Sequence, residues 1–175
     1  SNKIDKGKAS FQIEFYLDNK NQIENFISKG KVYDLSLNLI KDLKLEGVKF
    51  DFFADKTDIL LKNIKGNFDR IDLKEGDLKI KLSPKVSIQS NFLSSLNINT
   101  DTITKLIKLN DNIKLADDLL YMKADLNNSL FLEFSKTYKL VDYKFESSGS
   151  IKDAKFLFKD PIKNFLSNEN IKEIF

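Results

Sequence analysis

The side chains in this sequence that could carry chemistry are carboxylates, amines and hydroxyls, because the chain has no histidine and no cysteine. Thiol nucleophiles, imidazole acid–base catalysis and zinc sites of the usual kind are therefore excluded. Paired carboxylates can hydrolyse a glycosidic bond. The Asp and Glu here, however, fall at the polar positions of alternating apolar–polar runs, the pattern of a solvated sheet face. Asp55-Lys56-Thr57-Asp58 offers two carboxylates to a hard cation. The same four residues suit a turn closed by side-chain-to-backbone hydrogen bonds. Ser147-Ser148-Gly149-Ser150 places three hydroxyls around a glycine, but it resembles no nucleophile elbow and has no histidine to serve as its base. No glycine-rich phosphate loop is present. The expectation is a protein that is not an enzyme and needs no cofactor.

The elements that hold these groups are strands. Between Gly30 and Leu82 apolar residues alternate with polar ones: Leu35, Leu37, Leu39; Leu43, Leu45; Val48, Phe50, Phe52; Ile71, Leu73; Leu78, Ile80, Leu82. A period of two means a strand with one apolar and one wet face. The pattern breaks at Lys41-Asp42, Gly47, Asp55 to Asp58, Gly66 and Glu75-Gly76-Asp77, where turns or bulges are expected. Ala9 to Leu17 alternates without a fault, and Asp18 to Asn21 has the composition of a turn. Ile23 to Gly30 has partly helical spacing, but its neighbours favour a strand. Pro84 belongs in a turn, since it cannot donate to a ladder. A short helix carrying Ile103, Leu106 and Ile107 is expected after a cap at Thr100 or Asp101. Strands then resume over Leu119 to Leu126, turn at Asn127-Asn128-Ser129, pair back through Leu130, Leu132 and Phe134, and continue over Val141 to Phe145 and Ala154 to Phe158. Asp160-Pro161 suits the start of a last helix. The fold class is mainly β, a long antiparallel meander forming a curved sheet or open groove, with two or three short helices. Roughly ten strands of about 7 to 11 residues are expected, long for a small domain.

One local pattern recurs. Gly30 to Leu37, Gly66 to Leu73 and Gly149 to Phe156 each read G-x-Φ-x-[polar]-Φ-x-Φ, with Φ apolar. The apolar parity flips between the third and sixth positions, which implies a bulge after a glycine and a strand running on.

The 175 residues are read as a single β-rich domain spanning 1–175. Ser1-Asn2 looks like a cloning remnant and Ile171 to Phe175 ends without a cap, so a segment of a longer protein is expected. No apolar run approaches the roughly 20 residues that span a bilayer. Net charge is +3, and Arg70 is the only arginine. Readers of nucleic acid rely on arginine for bidentate contacts, so no nucleic-acid partner is expected.

GKVYDLSLNL and GSIKDAKFLF, together with FFADKTDILLKNIKGNFDRIDLKEGDLKI, resemble the AsmA-like proteins of the bacterial envelope, of the TamB and YhdP type. The likeness runs from about Phe11 to Pro161 and rests on strand-and-turn patterns. It implies a bridge-like lipid transfer protein: periplasmic, anchored in the inner membrane, with a sheet curled into a trough that carries phospholipid acyl chains in outer-membrane biogenesis. By strand parity the candidate lipid-contact residues are Phe11, Ile13, Phe15, Leu37, Phe50, Phe52, Ile80, Met122, Leu132, Phe134, Phe145, Phe156 and Phe158. A phospholipid or other lipid is the expected partner, with both membranes reached through parts outside this chain. Edge strands would also allow self-association. The alternatives are a closed β-sandwich serving envelope assembly and a carrier resembling the β-jelly rolls of lipopolysaccharide transport.

Overall fold

The computed structural model describes residues 3–40, 43–68, 70–102 and 119–156. They form one eight-stranded antiparallel sheet in which every strand pairs only with its neighbours in sequence, in the order β1 to β8. The strands are β1 (Lys3–Leu17), β2 (Ile23–Ile40), β3 (Leu43–Ala54), β4 (Asp58–Phe68), β5 (Ile71–Lys81), β6 (Val86–Asn99), β7 (Leu119–Phe134) and β8 (Leu140–Phe156). The sheet is open, with β1 and β8 at its edges. The described residues thus form a single-layer, unclosed meander.

The turns follow from short polar side chains bonding to nearby backbone. Asp18 accepts hydrogen bonds from the backbone N–H of Lys20 and Gln22, both at 2.8 Å. Asp55 accepts from the N–H of Thr57 at 2.7 Å and of Asp58 at 2.8 Å. The Asp55–Asp58 segment is thus a turn that consumes its own carboxylate.

Among the described residues there are eight strands where about ten are expected for the chain, and they are 11 to 18 residues long. Two expected divisions between strands are absent: one at Asn127 to Ser129, the other between the strands expected at Val141 to Phe145 and from Ala154. Asn127-Asn128-Ser129 lies in the middle of β7, so Leu130, Leu132 and Phe134 continue that strand. Gly149 to Phe156 lies within β8. Helix is described only at 100–102. Its cap is Asn99, one residue before the expected pair: Asn99 Oδ1 accepts from the backbone N–H of Thr102 at 3.1 Å. The body of that helix and the one expected from Pro161 lie outside the described residues.

Bulges keep these long strands in phase. Residues directly opposite each other in an antiparallel ladder share a face. One such row runs Ile13, Ser28, Ala54, Ile59, Ile80, Ile88, Leu132, Tyr143. The next runs Phe11, Gly30, Phe52, Leu61, Leu78, Ser90, Leu130, Phe145. Towards the other strand ends a third runs Ile4, Leu37, Leu45, Phe68, Ile71, Leu96, Ala124, Ile151. β6 and β7 pair without a register shift, so all three rows lie on one face. In β2, β3, β4 and β5 the apolar set changes between odd and even numbering part-way along. The shifts fall between Val32 and Leu35, between Glu46 and Lys49, and between Leu73 and Glu75. Each returns the apolar set to the same face.

The residues at these bulges suit them. Asp34, Gly47 and Asn63 all take positive φ, at 49°, 60° and 56°. Asp, Asn and Gly are the types that tolerate the left-handed region. Two of the three G-x-Φ-x-[polar]-Φ-x-Φ copies contain such a shift, at Asp34 in β2 and between Ile151 and Asp153 in β8. The copy at Gly66 is different: Phe68 pairs with Ile71, so it closes the β4–β5 connection instead of bulging. Gly30 and Gly149 are required by close approach. A Cβ at Gly149 would overlap the Asp125 carbonyl oxygen and sit 2.9 Å from Leu126 Cα, and one at Gly30 would sit 2.8 Å from Phe11 Cα.

At Gly47 a β carbon would meet nothing within 4 Å. The cost of Gly47→Ala is therefore conformational alone, about 1 kcal/mol. Urea unfolding should show that loss, whereas Gly149→Ala, which adds a backbone clash, should lower the midpoint further.

Candidate functional site

The site is a face of the sheet. Phe11, Ile13 and Phe15 stand on β1, Leu37 on β2, Phe50 and Phe52 on β3, Ile80 on β5, Met122, Leu132 and Phe134 on β7, and Phe145 on β8. The register places all eleven on the same face. Phe156 ends β8 opposite Leu119, and Phe158 lies outside the described residues. Residues on the inner strands, such as Phe52 and Ile80, are half-buried by their neighbours, while the edges are open: Phe11 is 63% exposed and Phe145 57%. Among the described residues only Val48, Ile98 and Ala124 are buried apolar side chains. Among the described residues no second layer covers the face.

Of the third row, sequence parity names only Leu37. Ile4, Leu45, Phe68, Ile71, Leu96, Ala124 and Ile151 extend the apolar face beyond the bulges, and Ile98 packs there against Ile71, Leu96 and Met122. The signal was the parity flip itself, followed strand by strand. The strip runs from Ile88 to Leu96 along β6, roughly 26 Å at about 3.3 Å per residue, and about 34 Å across the eight strands.

A polar island interrupts the strip on β6–β8. Asn128 is 6% exposed. Its side-chain amide donates to Ser94 Oγ at 3.0 Å and to the Phe92 carbonyl at 3.3 Å, and its oxygen accepts from Ser147 Oγ at 2.9 Å. Ser90 Oγ donates to the Asp77 carbonyl at 2.9 Å. These groups satisfy one another, which lets them sit among apolar neighbours. Asn128→Ala would strand the two hydroxyls and should cost about 1 to 2 kcal/mol in chemical unfolding.

The opposite face is mainly charged, with ion pairs bridging strands: Lys31–Asp51 at 3.5 Å and Lys62–Asp77 at 2.7 Å. Phe53 and Leu60, directly opposed there, are an apolar exception. Asp125 is the most strongly perturbed acid. Lys152 and the Ser95 hydroxyl bond to it and Lys74 lies 3.5 Å away, so its carboxyl falls from 3.8 to about 2. Asp51, Asp55 and Asp77 are lowered as well, chiefly by Asn63, by the Thr57 backbone N–H and by Lys62. A depressed carboxylate stabilises the fold above its unfolded pKa and loses that contribution as pH falls through its folded value. Acid unfolding should therefore set in below about pH 3.8 and continue towards pH 2. Asp125→Asn should flatten that limb in a pH series of denaturant midpoints, and an unchanged limb would show that another group is titrating.

A hollow of about 850 Å³ lies over β6–β8 and is lined by asparagines, serines, Glu146 and Phe145. Among the described residues no group of three or more acidic side chains is placed to hold a metal ion. No helix among them is long and apolar enough to cross a membrane, which says nothing of strands. No protein-family model, curated protein or solved structure matches the chain.

Proposed function

We propose that this chain is a non-enzymatic, lipid-binding segment of a bacterial envelope protein, holding phospholipid acyl chains on its apolar face. The observation that carries this reading is that apolar rows cross all eight strands, broken only locally by Ser28, Gly30, Ser90 and the Asn128 island, on a face that no second layer of the described residues covers. Apolar surface this large marks a ligand, membrane or partner site. Each methylene removed from water contributes roughly 0.8 kcal/mol, so a row of Phe, Leu and Ile holds an acyl chain without bond chemistry. The strip is longer than the roughly 15 Å depth of one acyl layer, half a bilayer core. The resemblance to AsmA-like proteins supports the same reading. On that resemblance the proposal extends to a periplasmic setting, within a longer inner-membrane-anchored protein that moves lipid towards the outer membrane.

Native mass spectrometry with lipid extraction tests this. Phospholipid should co-purify with the chain, and labelled phospholipid should be taken up from liposomes. Phe52→Asp and Leu132→Asp should each weaken uptake by about tenfold or more, with the strand signal in circular dichroism retained. A lipid-free protein that takes up no label would refute the proposal.

A further inference from the structure

The two edges of this sheet, unpaired among the described residues, match each other. Eight strands is an even number, so β1 and β8 run in opposite directions. A second copy placed alongside by simple translation therefore brings its β1 antiparallel to the first copy's β8, with both apolar faces on the same side. The usable lengths also agree. β1 pairs with β2 without a shift from Lys8 to Tyr16, and β8 pairs with β7 without a shift from Asp142 to Ile151.

Laying Lys8–Tyr16 against Asp142–Ser150 gives nine consecutive pairs with no conflict of charge. On the apolar face Tyr143 meets Phe15 and Phe145 meets Ile13. On the polar face Lys144, which within its own strand pairs with Glu146 at 3.0 Å, meets Glu14, and Asp142 meets Tyr16, whose hydroxyl donates to Glu14 at 3.3 Å within the chain and would have to exchange that partner for Asp142. Phe11, Phe15, Tyr143 and Phe145 are all exposed, at 63%, 59%, 70% and 57%. Side-by-side β8–β8 pairing centred on Lys144 or Glu146 would set like charges against each other. Neither regular run contains a proline, and a long, exposed, regular edge is a template for another strand.

We infer that copies of this chain associate head to tail, β8 of one on β1 of the next, extending the sheet and its apolar face without closing. A heterologous contact of this kind generates an open series.

Sedimentation velocity on the lipid-free chain over a dilution series tests the inference independently of lipid binding. The expected result is concentration-dependent species larger than dimers, with backbone amides in both β1 and β8 slowing in hydrogen–deuterium exchange as concentration rises. Glu14→Lys and Lys144→Glu should each weaken association by roughly threefold to tenfold, and the double variant should restore it. A monomer at every concentration would overturn the inference. So would a dimer indifferent to both charges, which stacking of the two apolar faces would produce, or one sensitive to Lys144→Glu but not to Glu14→Lys, which β8–β8 pairing would produce.

Discussion

Phase is the constraint on which this sheet depends. A strand's side chains alternate with a period of two, so a slip of one residue sends every apolar group to the wrong face. Over 18 residues, the length of β2, a strict alternation leaves no room for local error. The chain meets this by inserting bulges at Asp34, Gly47 and Asn63, residues that accept left-handed backbone at low cost. Without them, Leu37 and Leu45 would stand on the charged face while Val32 and Phe50 stood on the apolar one. Bulges also bend strands and raise their twist, so the device that keeps the apolar face continuous also shapes it.

The consequence is a sheet held by its ladders more than by a core. Only three apolar side chains among the described residues are fully buried, so much of the apolar area that would stabilise a two-layer fold remains available to a ligand. The polar face contributes cross-strand ion pairs such as Lys62–Asp77, each weak because it is exposed. The Asn128 island is different in kind. Its hydrogen bonds tie β6, β7 and β8 together on the apolar side, where water competes less.

Much of this was legible in the sequence, and what was not has a physical cause. The alternation of Ala9 to Leu17, the turn chemistry of Asp18 and Asp55, and the open meander are local properties that local patterns report. The number of strands was not legible, because Asn127-Asn128-Ser129 has the composition of a turn. Its side chains are satisfied by Ser94 and Ser147 from neighbouring strands, partners that no window of sequence around Asn128 contains. The row through Leu45, Phe68 and Ile71 was missed for a related reason. Each parity flip had been recognised as a bulge in places, but its effect on the face becomes visible only when eight registers are laid side by side. Eleven of the candidate residues nonetheless share one face, because most lie on one side of the bulge band.

Because each described strand ladders only with the strands before and after it in sequence, the sheet is close to one-dimensional. Its stability is then approximately a sum of strand terms and nearest-neighbour interfaces, as in repeat proteins. Loop closure between successive strands is short-range, which favours rapid zippering from any hairpin along the chain. Length also becomes a free variable for evolution. Duplicating or deleting a pair of strands preserves strand direction, facial phase and every contact outside the altered hairpin, so such a sheet can be lengthened by steps of two strands without redesigning what is already there.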